Sequence, residues 1–272
     1  MRYPAVAGQF YERDATALRK QIDACYRHPI GPGRKPAVAR DGPRTLRGMV
    51  VPHAGYMYSG PVAAHAFAAL ARDGPPQAFV VLGPNHTGLG AAMALGAHDW
   101  ETPLGVAEYD RDLGARVLKH PVTEDILAHR HEHSIEVQLP FLQDLFEKVR
   151  FVPICMGLQD LRDAVELGGI VRDAIAGRDV VVLASSDFCH YIPKAEAARR
   201  DRMAIDKILA LDVRGFYRTV QENDISMCGY GPVMAMMTAV GPAKPELLKY
   251  ASSGDVTPME DVVGYGAIAM RA

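Results

Sequence analysis

Residues 180–190 read VVVLASSDFCH, a continuously apolar run that gives way to Ser185-Ser186-Asp187 and ends on His190. A short run without polar alternation is the pattern of a strand buried on both faces, as in a parallel sheet covered by helices. The same form recurs on either side of it. Residues 48–52, GMVVP, lead to His53-Ala54-Gly55, and residues 78–83, AFVVLG, lead to Pro84-Asn85-His86. Residues 150–157, RFVPICMG, make a fourth such run, and 91–96, 247–251 and 265–270 are weaker strand candidates. Helical periodicity predicts helices over 61–72, 110–119, 161–176 and 194–211. It also predicts one over 134–149, with Ile135, Leu139, Leu142, Leu145, Phe146 and Val149 on one stripe and Pro140 bending or delaying it. The alternation predicts a single three-layer α/β/α domain over residues 1–272, with a central mostly parallel or mixed sheet.

Composition narrows the class of function without naming it. The 30 basic and 32 acidic side chains nearly cancel, which argues against a generic cationic nucleic-acid binder. No apolar run approaches the roughly 20 residues of a membrane-spanning helix. The first residues, MRYPAVAGQFYERD, carry no secretory pattern, so a cytoplasmic location is expected. The four cysteines, Cys25, Cys155, Cys189 and Cys228, are far apart and form no CxxC pair, which disfavours a disulfide framework. Residues 29–47 hold four prolines, three glycines and five basic residues, and are expected to form a solvated irregular loop rather than a phosphate site.

The chemistry gathers where strand candidates end. His53, His86 and His190 each follow a strand in a turn, and in α/β sheets ligands collect outside the carboxyl ends of the strands. One such histidine is ordinarily structural; three in the same placement point to a site. Cys228, in Ser226-Met227-Cys228-Gly229-Tyr230-Gly231-Pro232, precedes the helical pattern 233–240. The positive end of a helix favours thiolate there, and thiolate with imidazole suits zinc, iron or copper. Cys189 could compete for that role, although neighbouring side chains on extended backbone point to opposite sides, so it and His190 would not share one metal. In His129-Arg130-His131-Glu132-His133-Ser134-Ile135-Glu136 the order is not that of an HExxH zinc helix. If Ser134 caps the helix, His133 and Glu136 could face a pocket as supporting or substrate contacts, with His129 and His131 exposed. Residues 252–255, SSGD, read as a turn that caps backbone. No Walker A loop, GxGxxG or GxSxG motif is present.

PAVAGQFY, VPHAGYMYSG, VLGPNH, EHSIEVQLPFL, SSDFCHY, CGYGP and GYGAIAM occur in that order along nearly the whole chain. Together they resemble the Memo family, whose bacterial and archaeal members are called AmmeMemoRadiSam system protein B. That family is similar in fold to the class III extradiol ring-cleaving dioxygenases, which hold non-haem iron. The resemblance implies His53, His86 and Cys228 as metal ligands, with Asp187 and His190 in the same pocket and His190 in the place of an acid/base histidine. A thiolate here stands where the dioxygenases use a carboxylate, which bears on ring cleavage. Human-type members are linked to copper or iron redox chemistry and phosphotyrosine-peptide binding; this chain has Tyr230-Gly231 where their motif carries Arg-His.

Three functions follow as expectations. The first is a metal-dependent redox enzyme or oxygenase acting on a small substrate, aromatic substrates among them, with iron(II) as the metal and copper or zinc as alternatives. The second is a non-catalytic binding or accessory protein that retains a dioxygenase-like pocket, with a radical S-adenosylmethionine pathway partner. The third is a zinc hydrolase. Neither nucleic acid nor membrane is expected as a partner, and a homodimer is the expected assembly.

Overall fold

The computed structural model describes residues 1–272. In chain order the helices are α1 (Ala15–Arg27), α2 (Gly60–Asp73), α3 (Arg111–Val117), α4 (Leu139–Leu145), α5 (Leu161–Ile175), α6 (Lys194–Leu209), α7 (Val213–Glu222), α8 (Tyr230–Val240) and α9 (Ser253–Val256). The strands are β1 (Leu46–Val51), β2 (Ala78–Pro84), β3 (Met93–Leu95), β4 (Trp100–Thr102), β5 (Gly105–Tyr109), β6 (Thr123–Glu124), β7 (Arg150–Met156), β8 (Val180–Ser185), β9 (His190–Pro193), β10 (Lys244–Ser252) and β11 (Asp261–Arg271).

The four continuously apolar runs form the middle of the sheet. Its strand order is β10-β11-β1-β8-β2-β7-β3-β6. β1, β8, β2 and β7 are mutually parallel, whereas β11 runs antiparallel to β1 and β3 antiparallel to β7. The sheet is therefore mixed, parallel at the centre and antiparallel toward its edges. Both faces are dry because the side chains alternate between two cores. Val50, Val80, Val152 and Val182 belong to a cluster of 38 buried residues with α3 and α5 to α8, and Met49, Phe79, Val81 and Leu183 to a cluster of 35 with α1, α2 and α4. The near-equal clusters leave neither face to solvent, so helices cover the sheet on both sides. On the second face Phe67 of α2 stacks on Phe141 of α4, with ring centroids 4.6 Å apart and planes within 3°. Truncating such a buried ring costs roughly 3–5 kcal/mol.

Two local expectations change. The segment 134–149 is not one helix: a single 3-10 turn, Glu136–Gln138, precedes α4, which ends at Leu145. Pro140 has no N–H to donate and sits in the first turn of α4, where that loss is harmless, so it delays the helix. Ser134 does not cap; its hydroxyl donates to the Pro84 carbonyl at 2.9 Å. The segment 29–47 is irregular until β1 begins, but two of its cations are not simply solvated. Lys35 pairs with Asp144 at 2.6 Å, and Arg44 pairs with Asp73 at 2.6 Å and Asp179 at 2.8 Å. The 252–255 turn is the start of α9, closed by a reciprocal Ser252–Asp255 capping box. No helix is long and apolar enough to cross a membrane.

Candidate metal centre

Three adjacent parallel strands deliver their chemistry at one edge. His53, His86 and Asp187 each lie two residues beyond the last residue of β1, β2 and β8. Because these strands are neighbours in the order β1-β8-β2, residues distant in sequence meet at their carboxyl ends. Cys228 arrives separately, on the segment just before α8. Gly229 lets it approach: a Cβ there would fall 2.4 Å from the Ser185 carbonyl oxygen. The Gly229 N–H donates to Ser186 Oγ at 2.9 Å, and the Gln159 amide donates to the Cys228 carbonyl at 2.9 Å. The thiol sulfur then lies 3.1 Å from His53 Nε2 and accepts the Asp187 backbone N–H at 3.3 Å.

The hydrogen bonds decide which imidazole nitrogens are free. Ser185 Oγ spends its one proton on the Ser134 carbonyl, at 2.6 Å. It must therefore accept from His53 Nδ1, at 2.9 Å, as it does from Gln138 Nε2 at 2.8 Å. His53 is thus protonated at Nδ1 and presents a lone pair at Nε2. Glu132 does the same for His86, accepting from its Nδ1 at 2.9 Å and from its backbone N–H at 2.5 Å. Burial alone would push the Glu132 carboxyl up, but the His86 hydrogen bond, the nearby imidazoles and the Ser134 backbone N–H hold it at about 2. An ionised carboxylate can only accept, so His86 carries a proton on Nδ1, and Nε2 is its nitrogen not engaged by Glu132. One nitrogen from each imidazole and the Cys228 sulfur lie within 4.8 Å of one another. Burial, with the neighbouring His133, His86 and His190, lowers the His53 pKa well below its ordinary value and so keeps the ring neutral. Burial also raises the Cys228 thiol well above the usual cysteine range; a bound cation would reverse that. Two imidazoles, each engaged through Nδ1 and so offering Nε2, and a thiol that a metal would ionise form a donor set suited to iron, zinc or copper.

The other residues singled out by sequence divide. Asp187 is almost fully buried, accepts the His53 backbone N–H at 2.8 Å, and has its carboxyl pushed up to about 6 by burial. His190 is half-buried; its Nδ1 donates to the Ser226 carbonyl at 2.8 Å, which leaves Nε2 unengaged by that bond. His133 stacks on His86 at 4.6 Å and meets His53 edge-on at 5.3 Å, and burial lowers its pKa to about 4. These residues share a cavity of about 540 Å³ with His53 and His86, walled by Phe10, Tyr58, Tyr191 and Tyr265. Glu136 is not part of it. Fully buried, it ion-pairs with Arg2 and accepts from Tyr11 Oη at 2.5 Å and from the backbone N–H groups of Ala5 and Val6. It ties down the N-terminal segment that carries Phe10. His129 is also buried rather than exposed, with Nε2 on the Ala94 carbonyl at 3.0 Å and its ring edge-on to Trp100. His131 is exposed, as expected, and Cys189 is buried in the core, away from the His53–His86–Cys228 cluster.

The sequence matches the Memo-like protein family over residues 2–269. The chain belongs to the Memo-like family. It is 50% identical to the MEMO1 family protein MK0963 of Methanopyrus kandleri, covering 99% of both chains. It is 46% identical to MTH_45 of Methanothermobacter thermautotrophicus, covering 99% of this chain and all of that one. Among solved structures it resembles the uncharacterized protein JW3007 from Escherichia coli K12, at 14% identity and a TM-score of 0.52. That match covers 82% of this chain and 99% of the other, and it speaks to the fold alone.

Several residues of this Memo-like site escaped the sequence reading. Ser185 and Glu132 lie inside quoted motifs, but nothing local distinguishes them as the groups that set the tautomers of His53 and His86. Gln138, in the 3-10 turn before α4, holds Ser185 and the Pro52 carbonyl. Tyr58, Tyr191, Met259 and Asp261 reach the cavity only through tertiary contacts.

Proposed function

We propose that this Memo-like protein is a non-haem metal-dependent redox enzyme, of oxygenase type, that acts on a small aromatic substrate. His53, His86 and Cys228 would hold iron(II). The observation that carries this reading is the gathering of two imidazoles held through Nδ1 and one thiol, donor atoms within 4.8 Å of one another, beside an aromatic-walled cavity. Bound iron would supply open coordination positions and electron transfer. Ser185 and Glu132 keep the His53 and His86 protons on Nδ1, so no ring rotation is needed before a metal binds. His190 faces the cavity with a free Nε2 and takes a proton from a substrate hydroxyl, while its Nδ1–H stays on the Ser226 carbonyl. Asp187, its carboxyl near 6, holds or releases a proton beside the same wall. Phe10, Tyr58 and Tyr265 give a substrate ring apolar faces to pack against.

The test is metal content after anaerobic purification with iron(II), compared among wild type, His53→Ala and Cys228→Ala. Near one equivalent in wild type and a large loss in both variants is expected. Equal content in all three overturns the ligand set. Zinc as the metal in protein from its own source overturns the redox reading and leaves a hydrolase with metal-activated water. Metal retention without O₂ consumption across a metabolite mixture leaves an accessory protein.

A further inference from the structure

The cavity is lined by carboxylates and by no permanently cationic side chain. None of its lining residues is a lysine or arginine, and its carboxylates are Asp187, buried deep, and Asp261, exposed at the rim. Lys194, which lies near the Ser252–Gly254 turn, is already paired with Asp255 at 2.5 Å. An anionic substituent at the rim would meet a carboxylate with no cation to receive it.

The rim also carries an aromatic side chain held there by an unusual backbone. In the antiparallel pairing of β9 with β11, Val262 faces Ile192 and Val263 faces His190, so Tyr191 is skipped and forms a bulge. Its φ is +56°, a left-handed conformation that a bulky residue rarely adopts. The ring is 77% exposed and yet lines the cavity. Bulges beside active sites re-aim side chains, and this one turns a large aromatic face to the opening instead of into the core. Asp261 sits on the paired strand, opposite Pro193. A carboxylate and an accessible aromatic face lining one cavity are the chemistry that receives an ammonium group, by Coulomb attraction and cation–π contact.

We propose that the rim selects substrates by charge: Tyr191 and Asp261 receive an ammonium group on the aromatic substrate, and substrates anionic at that end are excluded. This deepens the functional reading above and rests on it for the placement of the ring. The selection is one of affinity and involves no bond-making step.

The probes are phenethylamine, 2-phenylethanol and 3-phenylpropionate, with binding to the isolated protein measured by titration and metal content assayed in parallel. Phenethylamine should bind tightest and 3-phenylpropionate weakest. Asp261→Asn should weaken phenethylamine about two- to fivefold and leave 2-phenylethanol unchanged. Asp261→Lys should place 3-phenylpropionate ahead of the amine. Tyr191→Ala and Tyr191→Gly should both weaken the amine, with the glycine variant melting higher because it relieves the left-handed backbone; lost binding in a more stable protein is not unfolding. Tighter binding of 3-phenylpropionate by wild type, an unchanged order in Asp261→Lys, or no binding of any probe overturns the proposal. If the charge order holds while the His53 and Cys228 variants keep their metal, the metal reading alone has failed.

Discussion

Removing the Ser185 hydroxyl separates a pinned imidazole from a merely buried one. In Ser185→Ala three contacts vanish: the bond to the Ser134 carbonyl at 2.6 Å and those from His53 Nδ1 at 2.9 Å and Gln138 Nε2 at 2.8 Å. Gln138 keeps the Pro52 carbonyl at 3.0 Å. His53, only 2% exposed, has no replacement partner for its Nδ1–H, and the Ser134 carbonyl loses its hydroxyl donor. An unsatisfied buried polar group costs about 1–3 kcal/mol, so two of them put the destabilisation at about 2–4 kcal/mol after partial relaxation. The second consequence is chemical. Without an acceptor at Nδ1 the ring is free to carry its proton on Nε2, facing the Cys228 sulfur, and that tautomer has no lone pair to offer a metal there. Loss of such a supporting hydrogen bond lowers metal affinity by about 10–100-fold. Urea denaturation of the metal-free protein gives the first quantity, and competition with a chromophoric chelator gives the second. Ser185→Thr, which retains the hydroxyl, should recover much of the affinity. A Ser185→Ala protein that is destabilised but binds metal within about twofold of wild type would refute the tautomer argument and leave Ser185 a structural residue.

Two further outcomes follow from the buried charges. Arg2→Ala strands Glu136, whose remaining partners are Tyr11 and two backbone N–H groups, and should cost about 3–5 kcal/mol; an unchanged melting temperature would contradict it. Glu132 should make the metal-free protein acid-sensitive. Burial pushes its carboxyl up, yet the His86 hydrogen bond and its neighbours bring it from 4.5 down to about 2. A folded pKa below the unfolded one contributes stability that is fully present above about pH 4.5 and is lost as pH falls through about 2. The gap corresponds to at most about 3 kcal/mol. Urea midpoints measured from pH 5 to 2.5 should fall more steeply in wild type than in Glu132→Gln, and parallel slopes would show that Glu132 is not the source.

The strands were legible because their information is local. A run such as VVVLAS, short, β-branched and closed by polar turn residues, reads as a doubly buried strand, and all four such runs occupy the centre of the sheet. Helices α1 and α7 lie outside the predicted helices, although each buries a helically spaced apolar set: Leu18, Ile22, Cys25 and Tyr26 in the first, Phe216 and Val220 in the second. The segment 134–149 misled because its apolar stripe continues past Leu145, whereas the backbone is already extended at Phe146. Side chains such as Phe146 and Val149 are buried either way, so periodicity alone does not report the helix end.

By itself the sequence determined the βα alternation, the edge of the sheet where chemistry gathers, and the residues His53, His86, Asp187, His190 and Cys228 as candidates. His53, His86, His190 and Cys228 follow from their placement within a few residues of a strand or helix end, and Asp187 from the family resemblance. Only the tertiary structure decided what each candidate can do. Glu132 and Glu136 are four residues apart on one segment, yet the first orients His86 and the second anchors the N-terminal strap. Ser185 sets the tautomer of a histidine 132 residues away, and Tyr191 is turned to the cavity by pairing with β11. Burial patterns are written along the chain, but a hydrogen-bond partner is chosen by whatever the fold brings within 3 Å, and that choice decides which nitrogen is free.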